Sequence, residues 1–583
     1  MGVNWTPYSK GLKTPTVLID KIIIHLLKDE GFRLFLLKQI KAGERQVTDF
    51  KQIADAEPLY DIASGPVYPK NLNSRDHDGA DFSHRQLLDY VLKNYRLGDA
   101  ITPDYAKFST AAVNTGQEMR IENHPLQQAL IRQGLLTSDA APGGKNLVAD
   151  ALQKLHKSWE VLLRRTEKEI DDTKLFLPNA YVVAGGRFRE SYFWDSYWIM
   201  KGLIESGYGK TARGMLENYV YLFEKYGIIP NGNRFYYLTR TQFPVFLEMV
   251  TLLEQNNLLT FKKNGSTSSL ESRILKISDG YYTNIWRGTD RYVESAGLFR
   301  YSDGAGGSSD PHKVVTRPEA GVTEIRHEEV QAKRVAAESG WDFSYTRFGD
   351  EPQNFLPVDL NFMLMGYTEK LAGLFKKSGD EAKSNQFQKE AVRIKAKLNE
   401  HLLDQRTGLY LDYKFAGKNI GLTNVNTAAS FFPFYFGVYD AESASKTILK
   451  NLLNTLKPKN HLAVHTTDKE GAGQWDGSWS WAPLNEIAFQ SLLKYGLVAE
   501  AKKLAFDYSL MVLVTFYKNG NKYFEKFRAE DGSIKLPEGS EIYGNEEGFG
   551  WTNGTVAVFL HHLSDWGLLH ALEAEIAKRV GTS

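Results

Sequence analysis

Over its C-terminal three quarters the chain repeats one pattern: apolar residues at three- and four-residue steps, then a glycine that stops them. Val148, Leu152, Leu155, Trp159, Leu162 and Leu163 form one such stripe, and Met215, Tyr219, Leu222 and Tyr226 form another. A stripe of that period is the buried face of a helix. The stops are Ser206-Gly207, Tyr226-Gly227, Ser378-Gly379, Phe436-Gly437, Tyr495-Gly496 and Trp566-Gly567. Glycine accepts the left-handed conformation that closes a helix C-terminus, and in several cases a new helical run resumes within a few residues. Helix, glycine, short turn, helix describes stacked antiparallel helical hairpins, in a repeat too degenerate for a strict solenoid. Strand signals are few; Leu409 to Lys414, and Val514 to Phe527 around Asn519-Gly520, are expected as short hairpins.

The bulk numbers narrow the partners. With 71 Lys+Arg against 70 Asp+Glu in 583 residues, the chain lacks the basic excess that nucleic acid or a membrane surface demands, and an uncharged, hydroxyl-rich small molecule fits better. No cysteine is present, which excludes disulfides, thiolate metal sites and a cysteine nucleophile. The apolar run Thr16 to Leu27 is interrupted by Asp20, Lys21 and His25, so it reads as an amphipathic helix and not as a signal or a membrane span. A cytoplasmic protein is the expectation, with a secreted form whose signal has been removed as the alternative. Ser138 to Lys145 marks a boundary between an N-terminal helical extension, 1–145, and a main domain, 146–583. Tyr301 to Pro311, rich in glycine and serine, reads as a mobile loop, a lid or a linker.

The chemistry concentrates in loops between the hairpins. Gly185 to Trp198 reads GGRFRESYFWDSYW, a mixture of arginines, acids and aromatics that is costly to hide in a core and poorly spaced for a solvated helix face. It suits a polar pocket with aromatic walls. Aromatic faces take the C–H side of a pyranose, while arginines and carboxylates take its hydroxyls. Further islands of the same flavour follow: Pro230 to Arg234 with Arg240-Thr241-Gln242, Arg317-Pro318-Glu319, Glu338 to Ser344, Gln474 to Pro483, and Glu525 through Gly554. Hydrolysis of an acetal needs one carboxylic acid to protonate the leaving oxygen and one carboxylate to activate water or attack. Asp342, flanked by Trp341 and Phe343, is the stronger acid candidate, because an apolar setting raises a carboxyl pKa. For the second group Glu525, beside Lys526 in an aromatic stretch, competes with Glu541, Glu546 and Glu547.

Taken together the islands resemble the trehalases, inverting glycosidases that split α,α-trehalose, over roughly Pro178 to Gly554. Gly185-Gly-Arg-Phe-Arg-Glu with Tyr192, Trp194, Asp195 and Tyr197 is similar to the first signature of that family. Gln474-Trp475-Asp476 with Trp481-Ala482-Pro483 is similar to the second. The resemblance implies an (α/α)6 barrel, a fold the glycine-punctuated hairpins favour independently. It implies that Asp342 is the general acid and Glu525 the general base. It further implies sugar contacts from Arg187, Trp194, Asp195, Asn231, Arg240, Gln242, Arg317, Glu319 and Gly340, with Trp475 and Trp481 of the second signature and with Glu541. The chain departs from the family pattern at Ala184, Thr241, Ser478 and Trp479, and a charged stretch from Ala529 to Ser540 replaces a glycine-rich linker. Neither carboxylate is lost. Rival readings are another inverting (α/α)6 α-glucosidase and a silent sugar sensor.

No cofactor or metal is expected. Asn146 stands where a phosphate loop needs Ser or Thr, Ser74 and Arg85 spoil a calcium loop around Asp76 and Asp78, and His561-His562 falls in an apolar helical run. The expected partner is a disaccharide; oligomeric state is not legible.

Overall fold

The computed structural model describes residues 57–58, 95–96, 125–132, 146–166, 174–234, 237–261, 269–304, 327–440, 443–536 and 544–581. Apart from one helix and two short strand segments, the expected extension 1–145 lies outside them, with the run at 16–27, the boundary at 138–145 and most of the loop 301–311.

Helices α1 (Pro125–Arg132) and α2 (Leu147–Leu162) lead into α3 (Phe193–Glu205), α4 (Gly209–Tyr226), α5 (Phe246–Gln255) and α6 (Leu270–Gly280). After α7 (His327–Ser339) and the single turn α8 (Tyr345–Phe348) come α9 (Val358–Ser378), α10 (Glu381–His401), α11 (Phe432–Tyr435) and α12 (Ser443–Leu456). The chain ends on α13 (Ala482–Lys494), α14 (Val498–Lys518), α15 (Gly550–Asp565) and α16 (Leu569–Val580). Helices α3, α5, α9, α11, α13 and α15 each touch the next, and α15 closes on α3: they form a ring of six. The alternate helices pack outside it, which is an (α/α)6 toroid. Burial follows from position. Inner α15 is buried from Gly550 through Leu560 on every face, whereas outer α10 buries one stripe, Ser384, Phe387, Ala391, Ile394 and Leu398.

The glycine stops do what their spacing predicts. Gly207, Gly379, Gly437, Gly496 and Gly567 all have φ between 69° and 92°, and each follows the end of an inner helix. The sixth inner helix, α5, uses Asn257 at φ 57°, the residue that best tolerates this region after glycine. All six ends carry the same pair of hydrogen bonds. After α3, Gly207 N–H donates to Ile204 O at 3.0 Å and Tyr208 N–H to Leu203 O at 2.7 Å; after α5, Asn257 donates to Glu254 O at 3.1 Å and Leu258 to Leu253 O at 2.9 Å. This double closure satisfies carbonyls that a helix end leaves open and turns the chain outward in two residues.

Helices α3 and α15 approach without intervening side chains. A Cβ on Gly202 would stand 2.5 Å from Gly554 Cα, and one on Gly554 would stand 2.1 Å from the carbonyl oxygen of Trp198. Trp159 of α2 covers this seam, its indole N–H donating to Ser206 Oγ at 3.0 Å. At the far end of α15, His561 pairs with Glu205 of α3 at 2.6 Å and His562 stacks on Trp566, so both histidines have packing roles.

One strand expectation, the hairpin over Val514 to Phe527, is corrected. Val514 to Lys518 belongs to α14, because Thr515 and Phe516 lie on its buried face and tertiary packing overrides their strand preference. The strand that follows, β2 (Lys526–Arg528), pairs not with that segment but antiparallel with β1 (Trp479–Trp481), in the register Trp481 opposite Lys526. Tyr413–Lys414 does form a strand, between Phe355–Leu356 and Gly421–Leu422.

The seam yields a stability prediction. Gly554→Ala forces backbone apart and should cost about 1–3 kcal/mol, as overpacking does. Gly373→Ala, on α9 with nothing within 4 Å of its added Cβ, should instead stabilise by about 0.5–1 kcal/mol through helix propensity. Urea unfolding of both variants reads the contrast.

Candidate active site

Every inner helix runs from the long loops at one end of the toroid to the tight turns at the other. The loops before α3, α5, α9, α13 and α15 carry the polar islands, and they line one cavity. Asp342 and Glu525 both line it. So do Trp194 and Asp195 from the first turn of α3, and Asn231, Arg240 and Gln242 from the loop before α5. Gly340, Trp475 and Trp481 complete the residues that the sequence singled out and the cavity brings together.

Each is held from behind. Gln242 Oε1 accepts the Trp194 N–H at 3.0 Å, and Asn231 Oδ1 accepts from Arg240 Nη2 at 2.9 Å. The loops are tied by main chain as well, Phe193 N–H to Asn231 O at 2.9 Å and Asn231 N–H to Arg240 O at 3.0 Å. Tryptophans build the walls: Trp475 stacks on Trp481 with centroids 3.8 Å apart, and Trp551 stands edge-on to both Trp194 and Trp481 at 5.7 Å. Gly340, at φ 80°, has no Cβ because one would stand 2.8 Å from the Trp194 ring.

Asp342 sits on a turn stabilised by another loop. Phe343 takes φ 60°, an unusual conformation for an aromatic residue, which the surroundings must hold in place. The clamp is Asp476, fully buried. Its carboxylate accepts from Ser344 Oγ at 3.2 Å, Tyr345 N–H at 3.1 Å, Thr346 N–H at 3.0 Å, Thr346 Oγ1 at 2.6 Å and Gly473 N–H at 3.1 Å. Upstream, Glu338 takes a bidentate pair from Arg291, the shortest bond 2.6 Å, and the N–H of Ser302 at 2.7 Å. Downstream, Arg347 bridges Asp359 at 2.7 Å and Asp412 at 2.8 Å, all three buried. Trp341 stacks at 5.4 Å on Trp475, which lines the cavity together with Asp342.

Glu525 precedes β2. Its N–H donates to Glu546 O at 2.9 Å, its carbonyl accepts the Trp551 indole N–H at 3.0 Å, and its Oε2 meets Lys526 Nζ at 2.6 Å. Asp195 reports how tightly the acids are grouped. Burial, reinforced by the charges of Glu525 and Asp342, pushes its carboxyl up to about 8. Around neutral pH it is a neutral acid, able to donate as well as accept.

Arg187 does not line the cavity: its N–H donates to Glu546 Oε2 at 2.9 Å and its guanidinium lies over Phe188. Arg317, Glu319 and Glu541 lie outside the described residues. Among lining residues, Phe188, Tyr192, Tyr237, Ala337, Phe549 and Trp551 were not singled out as sugar contacts. Phe549 and Trp551 had a visible signal, aromatics interleaved with glycines in Gly548 to Gly554; Tyr237 had none. No group of three or more potential metal ligands stands together among the described residues.

A ring of helical hairpins enclosing a tryptophan-walled pocket that holds several carboxyl groups defines a toroidal glycoside hydrolase. The chain matches the Trehalase family model over residues 136–564 and belongs to that family. A periplasmic trehalase of Escherichia coli (strain SMS-3-5 / SECEC) is 33% identical over 495 residues, covering 79% of this chain and 84% of its own. The periplasmic trehalase of strain E24377A is 32% identical over the same length. In fold, the chain is similar to the neutral trehalase of Saccharomyces cerevisiae, with a TM-score of 0.55, 24% identity, and coverage of 68% of this chain and 75% of the other. These relatives overturn the cytoplasmic expectation, since the matched Escherichia coli proteins are periplasmic. That expectation rested on an interrupted apolar run, and a cysteine-free enzyme serves an oxidising compartment equally well.

Two outcomes follow. Asp476→Ala should lower glycosidase activity on the order of 10²-fold through misplacement of Asp342, with a smaller change in KM, measured by steady-state kinetics. Asp195→Asn should flatten the pH dependence of stability. A buried Asp whose pKa rises from 3.8 to about 8 contributes stability that is complete below the lower value and lost as pH climbs through the upper. Thermal melting between pH 4 and 9 should therefore show the wild type falling relative to the variant.

Proposed function

We propose that this protein hydrolyses α,α-trehalose to two glucose molecules by single displacement. Asp342 is the general acid and Glu525 the general base. The observation that carries the reading is that these two carboxyl groups, from loops far apart in the chain, open onto one aromatic-walled cavity in a chain of the Trehalase family. Water between Glu525 and the anomeric carbon gives its proton to the Glu525 carboxylate as its oxygen bonds that carbon. The glycosidic bond breaks, its electron pair stays on the leaving oxygen, and that oxygen takes the proton of Asp342. The attacked ring leaves as β-glucose and the other as α-glucose.

The remaining lining residues suit this substrate. Arg240, Asn231, Gln242 and neutral Asp195 offer hydrogen bonds to hydroxyls, and the tryptophans offer faces to the C–H sides of the rings. The names of the relatives support both the substrate and a periplasmic or secreted setting. Arg317, Glu319 and Glu541 belong to the same proposal as further sugar contacts.

Proton NMR of the first turnovers tests it. Equal amounts of α- and β-glucose should appear before mutarotation, and two α-glucose molecules would refute inversion. Glu525→Ala should lose at least about 10³-fold in kcat, and added azide, which needs no base, should restore turnover as β-glucosyl azide. Retained hydrolysis by folded Glu525→Ala or Asp342→Ala would overturn the assignment. A crystal structure with a substrate analogue should place the two carboxyl groups about 6.5–9.5 Å apart, the gap a water requires.

A further inference from the structure

Two imidazoles meet in the segment that joins α12 to β1, away from the residues that line the cavity. His461 Nδ1 and His465 Nε2 lie 2.7 Å apart, and His465 is buried. At that distance the two nitrogens share one hydrogen, with one ring donating and the other accepting. The bridge survives one added proton, because the facing nitrogen of the second ring still offers a lone pair. It does not survive the next. With both facing nitrogens protonated, two N–H groups and two positive charges oppose one another and no acceptor stands between them.

The segment that carries the pair braces the ribbon of β1 and β2. Leu462 N–H donates to the carbonyl of Ala529, just past β2, at 2.6 Å, and Thr466 N–H donates to Trp479 O of β1 at 2.9 Å. Val464 N–H donates to Asn485 Oδ1 of α13 at 2.9 Å, and His465 N–H to Leu456 O at the end of α12 at 2.6 Å. All four anchors lie between the two histidines or next to them. The ribbon in turn reaches the cavity from both strands, since β1 ends on Trp481 and β2 begins directly after Glu525.

Charges reach the pair from several elements. Arg528 of β2, Glu530 beyond it and Glu470 in the loop before β1 all bear on His465. Around His461, Lys457 Nζ donates to the His461 carbonyl at 2.7 Å and to Asp507 Oδ2 of α14 at 2.6 Å, and Asp507 also pairs with Lys503. Burial, followed by the facing His461, pushes the His465 pKa down to about 4; Glu530 and Glu470 oppose this, and Arg528 adds to it. A histidine held below its ordinary 6.5 in the folded protein contributes stability that is whole above that value and is lost as pH falls toward the lower one.

We propose that the His461–His465 pair is an acid-sensitive latch: a second proton breaks the bridge, releases residues 462–466 from the ribbon, and loosens the part of the cavity wall that the ribbon carries. The latch regulates the site for which trehalose hydrolysis is proposed, and its activity readout rests on that reading; its structural readout does not.

The test is amide hydrogen exchange over residues 456–468, read by mass spectrometry between about pH 7.5 and pH 4 and corrected for the intrinsic rate at each pH. It compares the wild type with His461→Asn and His465→Gln. Each substitution puts an amide where the facing ring nitrogen stood, so a hydrogen bond remains and the charge cannot form. Across that range protection of the segment should fall on the order of 10²-fold in the wild type and about tenfold at most in either variant. Protection that holds in the wild type, or that falls equally in folded variants, overturns the proposal, and the wild-type arm decides it even where a variant does not fold. Initial rates on trehalose give the second readout. Both variants should match the wild type near neutral pH and keep more of their activity below about pH 5. Parallel loss in wild type and variants overturns control of the cavity by the latch. A wild type that hydrolyses no trehalose at any pH refutes the proposed function instead, and exchange still judges the latch.

Discussion

The ring of inner helices closes at one seam, where α3 and α15 meet backbone to backbone. Gly202 and Gly554 leave no room for a Cβ on either side, and Gly550, one turn earlier, is packed by Ile199. The seam does more than seal the toroid. It fixes the N-terminal turns of both helices side by side, and those turns carry Trp194, Asp195 and Trp551. The 5.7 Å edge-on contact of the two tryptophans is a direct consequence. A wider crossing would separate the cavity wall supplied by α15 from the wall supplied by α3, and the remaining loops would have no fixed frame to enclose.

The two ends of the toroid answer different demands. At the C-terminal ends of the inner helices, a left-handed residue and two hydrogen bonds satisfy the backbone within a few residues, leaving little chain to build with. The N-terminal ends receive long loops instead, and apart from Ala337, at the end of α7, the cavity residues come from those loops or from the first turns that follow. The helix N-terminus also presents unpaired N–H groups and partial positive charge. A site that must gather several carboxyl groups is favoured there. Asp195, in the first turn of α3, has that help, yet burial and its acidic neighbours still win and leave it protonated near neutrality.

What the sequence disclosed follows this division. The ends of the inner helices were legible because a left-handed stop needs glycine and little else; among these six only the stop after α5 escaped, where Asn257 does the same work. The polar islands were legible because arginine, tryptophan and acids crowd together in segments unsuited to a core. The arrangement around each acid was not. Adjacency pointed to Trp341 and Phe343 around Asp342; it did not disclose Trp194 and Trp475, which line the same cavity from α3 and from the loop before α13. Glycines in Gly548 to Gly554 read as part of a sugar loop, whereas Gly550 and Gly554 are spaced four apart to meet α3. Pattern along the chain carries periodicity and composition; it does not carry which helix faces which.

Buried ion pairs anchor the cavity loops, and their energetics explain why they are used there. Glu190 holds Arg234 at 2.9 Å on the loop before α5, Arg291 holds Glu338 ahead of Asp342, and Arg347 holds Asp359 and Asp412 behind it. Removing charges from water costs several kcal/mol per ion, so well-packed apolar residues would give comparable or greater stability. An apolar cluster tolerates small slides, however, while a bidentate arginine has one good geometry. That single geometry matters because the loops, and not the helices, place most of the residues that line the cavity. Stability in this protein comes from the ring, whose helices bury apolar surface on all sides. The ion pairs add little to it, and they fix instead the loops that carry Asn231, Arg240 and Asp342.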